Sequence, residues 1–264
     1  MTNEERFDGM LALGERVRAR IRAIADEIHN QPEKHGPIDA ALETWRVALL
    51  NLAWDVSEGA FTLAATRKQQ VRAMRILNRC IYEYAVRLEY YAIERVTAIE
   101  DWIKSRAWLA KLVSRGIDEK DKANWDAETH QAYADMVSAS GKLRRHKHTD
   151  MLKRILEARG HDQENAEKGV EHGENFYSIA SSFVHGSEGV FYDMFSLEPG
   201  SESWKLHDRS LRLGEYDMLH EAVFYLILML FAESMHRGKD LGAHSYWREL
   251  DLTSGKWEQT PKLG

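Results

Sequence analysis

Residues 71–91, VRAMRILNRCIYEYAVRLEYY, carry the clearest helical pattern in the chain. Their apolar side chains recur at intervals of three and four residues, the spacing that places side chains on one face of an α-helix. The members of this stripe are Val71, Met74, Leu77, Ile81, Tyr84, Leu88 and Tyr91. Other apolar side chains stand between them, so the helix has apolar surface on several sides. It is therefore predicted to lie near the centre of a helical bundle.

The same spacing recurs along most of the 264 residues. It predicts further helices over residues 4–29, 39–66, 96–115, 126–140, 143–159, 162–185 and 210–237. All four prolines fall outside these segments, as expected because a proline inside a helix removes a backbone donor. The sequence therefore predicts an all-α fold, a bundle of about seven to nine helices.

One main domain, the helical bundle, is predicted over residues 1–244. Residues 116–160 are more polar than their flanks and are interpreted as an inserted helical hairpin. Gly160 is expected to end the last helix of this insert, because glycine accepts the left-handed conformation that closes many helices. The final stretch, residues 245–264, alternates around Thr253–Lys256 and is predicted to be a tail or a short C-terminal β-hairpin.

Composition and charge argue against several classes of protein. The net charge of −6 disfavours general binding to nucleic acids, but it permits a local basic patch. The single cysteine, Cys80, excludes a disulfide framework and a multi-cysteine zinc site. The sequence has no glycine-rich phosphate loop and no dinucleotide-binding fingerprint, so we expect no cofactor and no metal.

Two features predict the compartment. The most apolar stretch, Ala222–Ala232, is bounded by glutamates and is too short to span a bilayer. The first residues, MTNEERFDGM, lack the basic and then apolar pattern of a signal peptide. We therefore expect a buried core helix, no membrane association and a cytoplasmic location.

Three charged residues stand out on the central helix. Arg79, Glu83 and Arg87 follow each other at intervals of four residues and so share one helix face. Charged groups near a core need partners, because an unpaired buried charge is very costly. We therefore expect these side chains to meet polar groups of another helix.

A second polar set has the same interval on the helix predicted over residues 162–185. Tyr177, Ser181 and His185 stand four residues apart. A histidine titrates near neutral pH and can act as a general acid or base, and an arginine can hold a phosphate through paired hydrogen bonds. If the two helices face each other, the two sets would form a site for phosphate chemistry.

The segments RCIYEYAVRLEY, residues 79–90, and NFYSIASSFVHGS, residues 175–187, resemble a family of uncharacterised bacterial helical proteins. Its members carry an arginine and a glutamate one turn apart, and later a tyrosine, a serine and a histidine at helical spacing. The resemblance covers roughly residues 40–235 and implies a helical bundle.

More distantly, the chain is similar to the HEPN group of helical nucleases and nucleotide-binding proteins, many of them toxins or anti-phage defence factors. HEPN nucleases carry an arginine shortly before their histidine. Here the corresponding positions before His185 hold Ser178, Ile179 and Ala180, so this arginine is absent from them.

The leading hypothesis is a defence-related or toxin-related helical protein that binds RNA or a nucleotide between the two helices and cuts RNA without a metal. Its catalytic residues would be Arg79, Glu83 and His185. Its ligand-binding residues would be Arg87, Tyr177, Ser181 and Ser182.

Three alternatives remain. The two polar sets would form only a buried clamp, with His185 favoured at a helix end by the helix dipole. The chain would be a non-catalytic interaction or sensing module that forms a homodimer or binds a protein partner. It would be a metal-dependent bundle enzyme, although the pairs Asp217/His220 and Glu233/His236 lie on one helix and cannot share one centre.

One basic run stands outside these sets, at residues 142–148. We interpret it as a solvated helix face. Contact with the phosphates of a nucleic acid is the alternative.

Overall fold

The computed structural model describes residues 2–30, 37–66, 70–95, 97, 148–185, 195–197, 204–206 and 214–254. Within these ranges the chain forms seven helices and one pair of short strands. The helices are α1 (Asn3–Asn30), α2 (Pro37–Ala65), α3 (Val71–Ile93), α4 (His148–Ala158), α5 (Gln163–His185), α6 (Glu215–Arg237) and α7 (Ala243–Ser254). The strands are β1 (Phe195–Leu197) and β2 (Trp204–Leu206).

The predicted helical fold is confirmed, and seven described helices fit the predicted number. The helices predicted over residues 96–115 and 126–140 fall almost entirely outside the described residues. Most of the predicted insert, residues 116–147, also lies outside them.

One prediction differs from the structure. Residues 243–254 form a helix where the sequence predicted the first part of a β-hairpin, because Ala243, Leu250 and Thr253 recur at helical spacing and are buried. The remainder of that predicted hairpin, residues 255–264, lies outside the described residues. The connection before α6 contains the antiparallel strands β1 and β2, in which Phe195 is opposite Leu206.

Helices α3 and α6 form the centre of the fold and share the largest helix–helix interface. Helix α2 packs against both, and α6 also contacts α1 and α7. The side chains between them are fully buried and include Ile81, Leu88, Met218, Leu226 and Leu230. Burial of each such side chain stabilises the fold by roughly 1.5–3 kcal/mol, which explains why these helices pack together.

One described helix segment, Tyr216–Arg237, is long and apolar enough to cross a bilayer. In its most apolar window, 61% is buried inside the protein. A core helix has the same length and composition, so this segment alone is weak support for a membrane span.

Helices α4 and α5 form a hairpin that packs on α3. Gly160 closes α4 with a left-handed φ of 83°, as predicted from the sequence. The amides of Gly160 and His161 bond back to the carbonyls of Glu157 and Leu156, which is the Schellman arrangement. Asp162 then caps α5 by accepting the Asn165 amide at 2.8 Å, so the turn is fixed on both sides.

A buried ion pair joins α2 to α6. Arg46 donates from Nε and Nη2 to the two carboxylate oxygens of Glu233, at 2.9 and 2.7 Å. Glu233 is completely buried, and Nε of Arg237, on the same helix, lies 3.6 Å from Oε2 of Glu233. The charge of Glu233 is therefore tolerated only because guanidinium groups surround it.

We expect Arg46→Ala to lower the free energy of unfolding by about 3 kcal/mol, because it leaves the Glu233 carboxylate buried without its bidentate partner. The measurement is urea denaturation at neutral pH. Arg16→Ala is the control, since Arg16 pairs with Glu249 at an exposed position and should cost less than about 1 kcal/mol. Similar losses for the two variants would contradict this account.

Candidate functional site

The face of α3 that carries Arg79 meets α5 directly. Arg79 Nε donates to Glu83 Oε1 at 3.0 Å, and Arg79 Nη2 donates to the hydroxyl of Tyr177 at 2.8 Å. The guanidinium carbon also lies 4.5 Å from the centre of the Tyr177 ring, in a cation–π contact. Burial opposes the charge of Arg79, but the hydrogen bonds and charges of Tyr177 and Glu83 outweigh it and raise the pKa of the guanidinium.

A histidine from α4 completes this cluster. The ring of His148 packs against those of Tyr82 and Tyr177, with centre-to-centre distances of 5.0 and 5.2 Å. Burial, together with the charges of Arg87 and Arg79, lowers the pKa of His148 to about 4. The imidazole is therefore neutral at physiological pH. Its Nε2 atom is buried and has no hydrogen-bond partner among the described residues.

The sequence prediction missed His148. It lies at the end of the basic run at residues 142–148, which was interpreted as a solvated helix face. The structure instead places His148 against two tyrosines at the first residue of α4. No local pattern signals this position, because Tyr82 and Tyr177 are far away in the sequence. The rest of the basic run lies outside the described residues.

The side chain of Glu83 is more exposed to solvent than that of Arg79. Its side chain is 36% exposed, whereas that of Arg79 is 14% exposed. Arg87 lies one turn beyond Glu83, and one of its contacts is a long hydrogen bond of 3.4 Å to the hydroxyl of Tyr91. Arg79, Glu83 and Arg87 share one face of α3, so an anion that approaches beside the partly exposed Glu83 side chain would reach guanidinium groups.

A second polar tie holds the far end of the hairpin. Arg159 donates from Nε and Nη2 to the carboxylate oxygens of Glu89, at 2.7 and 2.8 Å. Glu89 is buried, and this burial raises its pKa although Arg159 opposes the effect. The tie thus joins the end of α4 to α3 well away from Arg79.

The structure brings together three of the predicted site residues, Arg79, Glu83 and Tyr177. Arg87 lies on the same face of α3 and close enough to His148 to affect its pKa. The backbone of α5 extends through Ser181, Ser182 and His185. The side chains of these three residues lie outside the described part of the structure, so their predicted roles stay predictions.

The metal-binding alternative can be compared with the described residues only. Within them, no group of three or more His, Cys, Asp or Glu side chains could hold a metal ion. Glu233 is bound by Arg46, and His236 Nε2 lies 3.1 Å from the carbonyl oxygen of Leu88. The side chains of Glu233 and His236 are therefore engaged in contacts that join α6 to α2 and to α3.

Comparison with protein-family models, with curated proteins and with solved structures finds no match for this chain.

Glycine at position 173 lets the hairpin approach α3. A Cβ atom at Gly173 would lie 2.6 Å from both the Tyr82 hydroxyl and Leu152 Cδ1. We expect Gly173→Ala to destabilise the protein by about 1–3 kcal/mol in urea denaturation, because the Tyr82 hydroxyl and the Leu152 methyl group must be displaced where α3, α4 and α5 meet. Hydrogen exchange should increase in α4 and α5 and stay unchanged in α1.

Gly9→Ala is the matched control for this substitution. A Cβ there meets only Thr253 Cγ2, at 3.6 Å, so the change should stabilise α1 by up to about 1 kcal/mol. An equally stable Gly173→Ala variant with unchanged exchange would show that the close contact is not required.

The burial of His148 predicts sensitivity to acid. Its pKa of about 4 lies below the ordinary value of 6.5, so between these pH values the unfolded chain binds a proton that the folded chain does not. The free energy of unfolding therefore decreases as the pH falls from about 6.5 towards 4, because protonation favours the unfolded chain. We expect His148→Phe, which retains an aromatic ring, to reduce the acid-induced loss by on the order of 1–3 kcal/mol. Parallel stability curves for the two proteins would contradict the assignment.

Proposed function

We propose that this protein binds RNA or a nucleotide through a phosphate group at the Arg79 cluster, defined as Arg79, Glu83, Arg87, His148 and Tyr177, in which the arginines bind the phosphate and the other three residues surround Arg79. The observation that carries the proposal is that the Nε–Nη2 edge of Arg79 is directed to the partly exposed Glu83 carboxylate and to the hydroxyl of Tyr177, whose ring stacks on His148. A phosphate oxygen is the natural partner for such an arrangement, because arginine binds phosphate through paired, charge-assisted hydrogen bonds.

The geometry around Glu83 supports this ligand. The Glu83 carboxylate already occupies Arg79 Nε and is partly exposed, so it can rotate away and leave this donor to a phosphate. Arg87 adds a second positive charge one turn beyond it. The resulting attraction is local, which is compatible with the net charge of −6 for the whole chain.

Metal-independent cleavage of RNA is the extension of this proposal. It needs a base that is neutral near pH 7. His148 has the required protonation state, but its Nε2 atom is buried. His185, at the end of α5, is therefore the base that we propose. The resemblance to the HEPN group supports a cytoplasmic role in defence or as a toxin.

We expect Arg79→Ala to weaken binding of a single-stranded oligoribonucleotide by about tenfold or more, because it removes the charge-assisted hydrogen bonds to the phosphate. A tenfold change corresponds to about 1.4 kcal/mol of binding free energy. Fluorescence anisotropy with a labelled oligonucleotide is the measurement, with ATP as competitor. Arg79→Lys should give an intermediate affinity, since it keeps the charge and loses the paired geometry. Binding should also weaken with added salt.

Arg16→Ala is the matched control, because it removes an exposed, ion-paired arginine of α1. Equal affinities for wild type, Arg79→Ala and Arg16→Ala would remove the proposed site. For cleavage, the same oligonucleotide is incubated with each protein in the presence of a chelator. We expect products from wild type and none from His185→Ala. Equal product formation by these two proteins would remove His185 as the base.

A further inference from the structure

The hydrogen bonds of three arginines show why Arg79 differs from the structural ion pairs. Arg46 and Arg159 each direct the Nε–Nη2 edge of the guanidinium to both oxygens of one buried carboxylate. Arg79 divides the same edge between the Glu83 carboxylate and the neutral hydroxyl of Tyr177. An oxyanion ligand that takes this edge would replace a neutral acceptor by a charged one, and hydrogen bonds to charged acceptors are about twice as strong.

Displacing Glu83 from Arg79 and displacing Tyr177 from Arg79 would have different consequences. Glu83 belongs to α3, so its departure leaves the packing of the helices intact. Tyr177 belongs to α5 and joins the hairpin to α3 through its hydroxyl and through its ring on Arg79. A ligand on the Nε–Nη2 edge therefore competes with the docked position of the α4–α5 hairpin.

The hairpin is held at a second point that the ligand does not touch. The pair Glu89–Arg159 stands ten residues beyond Arg79 along α3, about 15 Å at the rise of an α-helix. Arg159 is partly exposed, and its partner Glu89 is buried. Docking of the hairpin can thus be weakened at this end while the Arg79 cluster keeps all its groups.

From this arrangement we propose that the α4–α5 hairpin is an autoinhibitory element: it occupies Arg79 through Tyr177, and it competes with an oxyanion ligand for that arginine. This inference rests on the proposed function and adds a form of regulation to it. Because coupling between two equilibria is reciprocal, loosening the hairpin strengthens ligand binding, and the ligand loosens the hairpin.

The experiment measures the affinity for ATP and for inorganic pyrophosphate by titration calorimetry. The test variant is Glu89→Gln/Arg159→Gln, which removes both charges of the distal tie and leaves no buried charge without its partner. We expect its affinity to be about fivefold higher than that of wild type, at the lower end of typical coupling between sites. Tyr177→Phe, which keeps the ring and deletes the hydroxyl, should change affinity in the same direction.

The matched control is Arg16→Gln/Glu249→Gln, which removes an ion pair between α1 and α7. Its affinity should equal that of wild type. Hydrogen exchange supplies a second readout: added ATP should increase exchange in α5 of wild type and leave α1 unchanged. If the double variant at the distal tie does not fold, Arg159→Lys replaces it, since lysine keeps the charge and loses the paired geometry.

The outcomes separate this inference from the proposed function. Binding that depends on Arg79 but is equal in wild type, Tyr177→Phe and the distal variant overturns the autoinhibition and leaves the proposed function in place. A lower affinity in the distal variant also overturns it, because the hairpin would then assist the ligand. If neither wild type nor the distal variant binds either probe, both proposals fail. Binding by the distal variant alone, abolished by Arg79→Ala, supports both.

Discussion

The pairing of charges on α3 is the constraint on which the rest of the structure depends. This helix is surrounded by α2, α6 and the α4–α5 hairpin, yet it carries charged and amide side chains on its buried faces. Asn78 donates to the carbonyl oxygen of Met218 at 2.7 Å, and Glu89 is held by Arg159. Each of these contacts reaches a different neighbour, so the polar groups of α3 help to fix which helices surround it.

The same constraint separates the ties that hold the fold from the one that can exchange partners. Glu233 and Glu89 are buried carboxylates, each bound by both donors of one guanidinium edge. Removing either arginine would leave a charge inside the protein. At Arg79 the partners are a carboxylate on the more exposed side and a neutral hydroxyl, so their exchange for another acceptor leaves no charge buried. The proposed oxyanion site rests on that difference.

Local pattern was sufficient to predict the long helices. Periodicity located α1, α2, α3, α5 and α6 to within a few residues, and Gly160 marked the end of α4 because its left-handed conformation is a local requirement. Helix α7 is not predicted by the local pattern. The alternation around Thr253–Lys256 fits a hairpin, and the stripe of buried residues in the same segment fits a helix equally well. Its burial against α6 and α1 decides between the two, and this contact is not visible in a short window.

The candidate site was predictable only in part, for a related reason. The interval of four residues placed Arg79 and Glu83 on one helix face, and the same interval on α5 selected Tyr177, which the structure brings to Arg79. His148 belongs to the cluster through aromatic contacts with residues of two other helices, and its low pKa arises from burial and from the arginines of α3. Such properties depend on packing between distant segments, which spacing along the chain does not record.

In the proposed complex an oxyanion ligand binds to the Nε–Nη2 edge of Arg79 and takes the place of Glu83 on Nε and of Tyr177 on Nη2. The most direct measurement is the side-chain Nε–H signal of Arg79 in an NMR spectrum, assigned by its absence in Arg79→Lys, during titration with ATP. The account predicts that this signal shifts progressively with ligand, together with signals of α5. A ligand that binds while the Arg79 signal stays in place would contradict it.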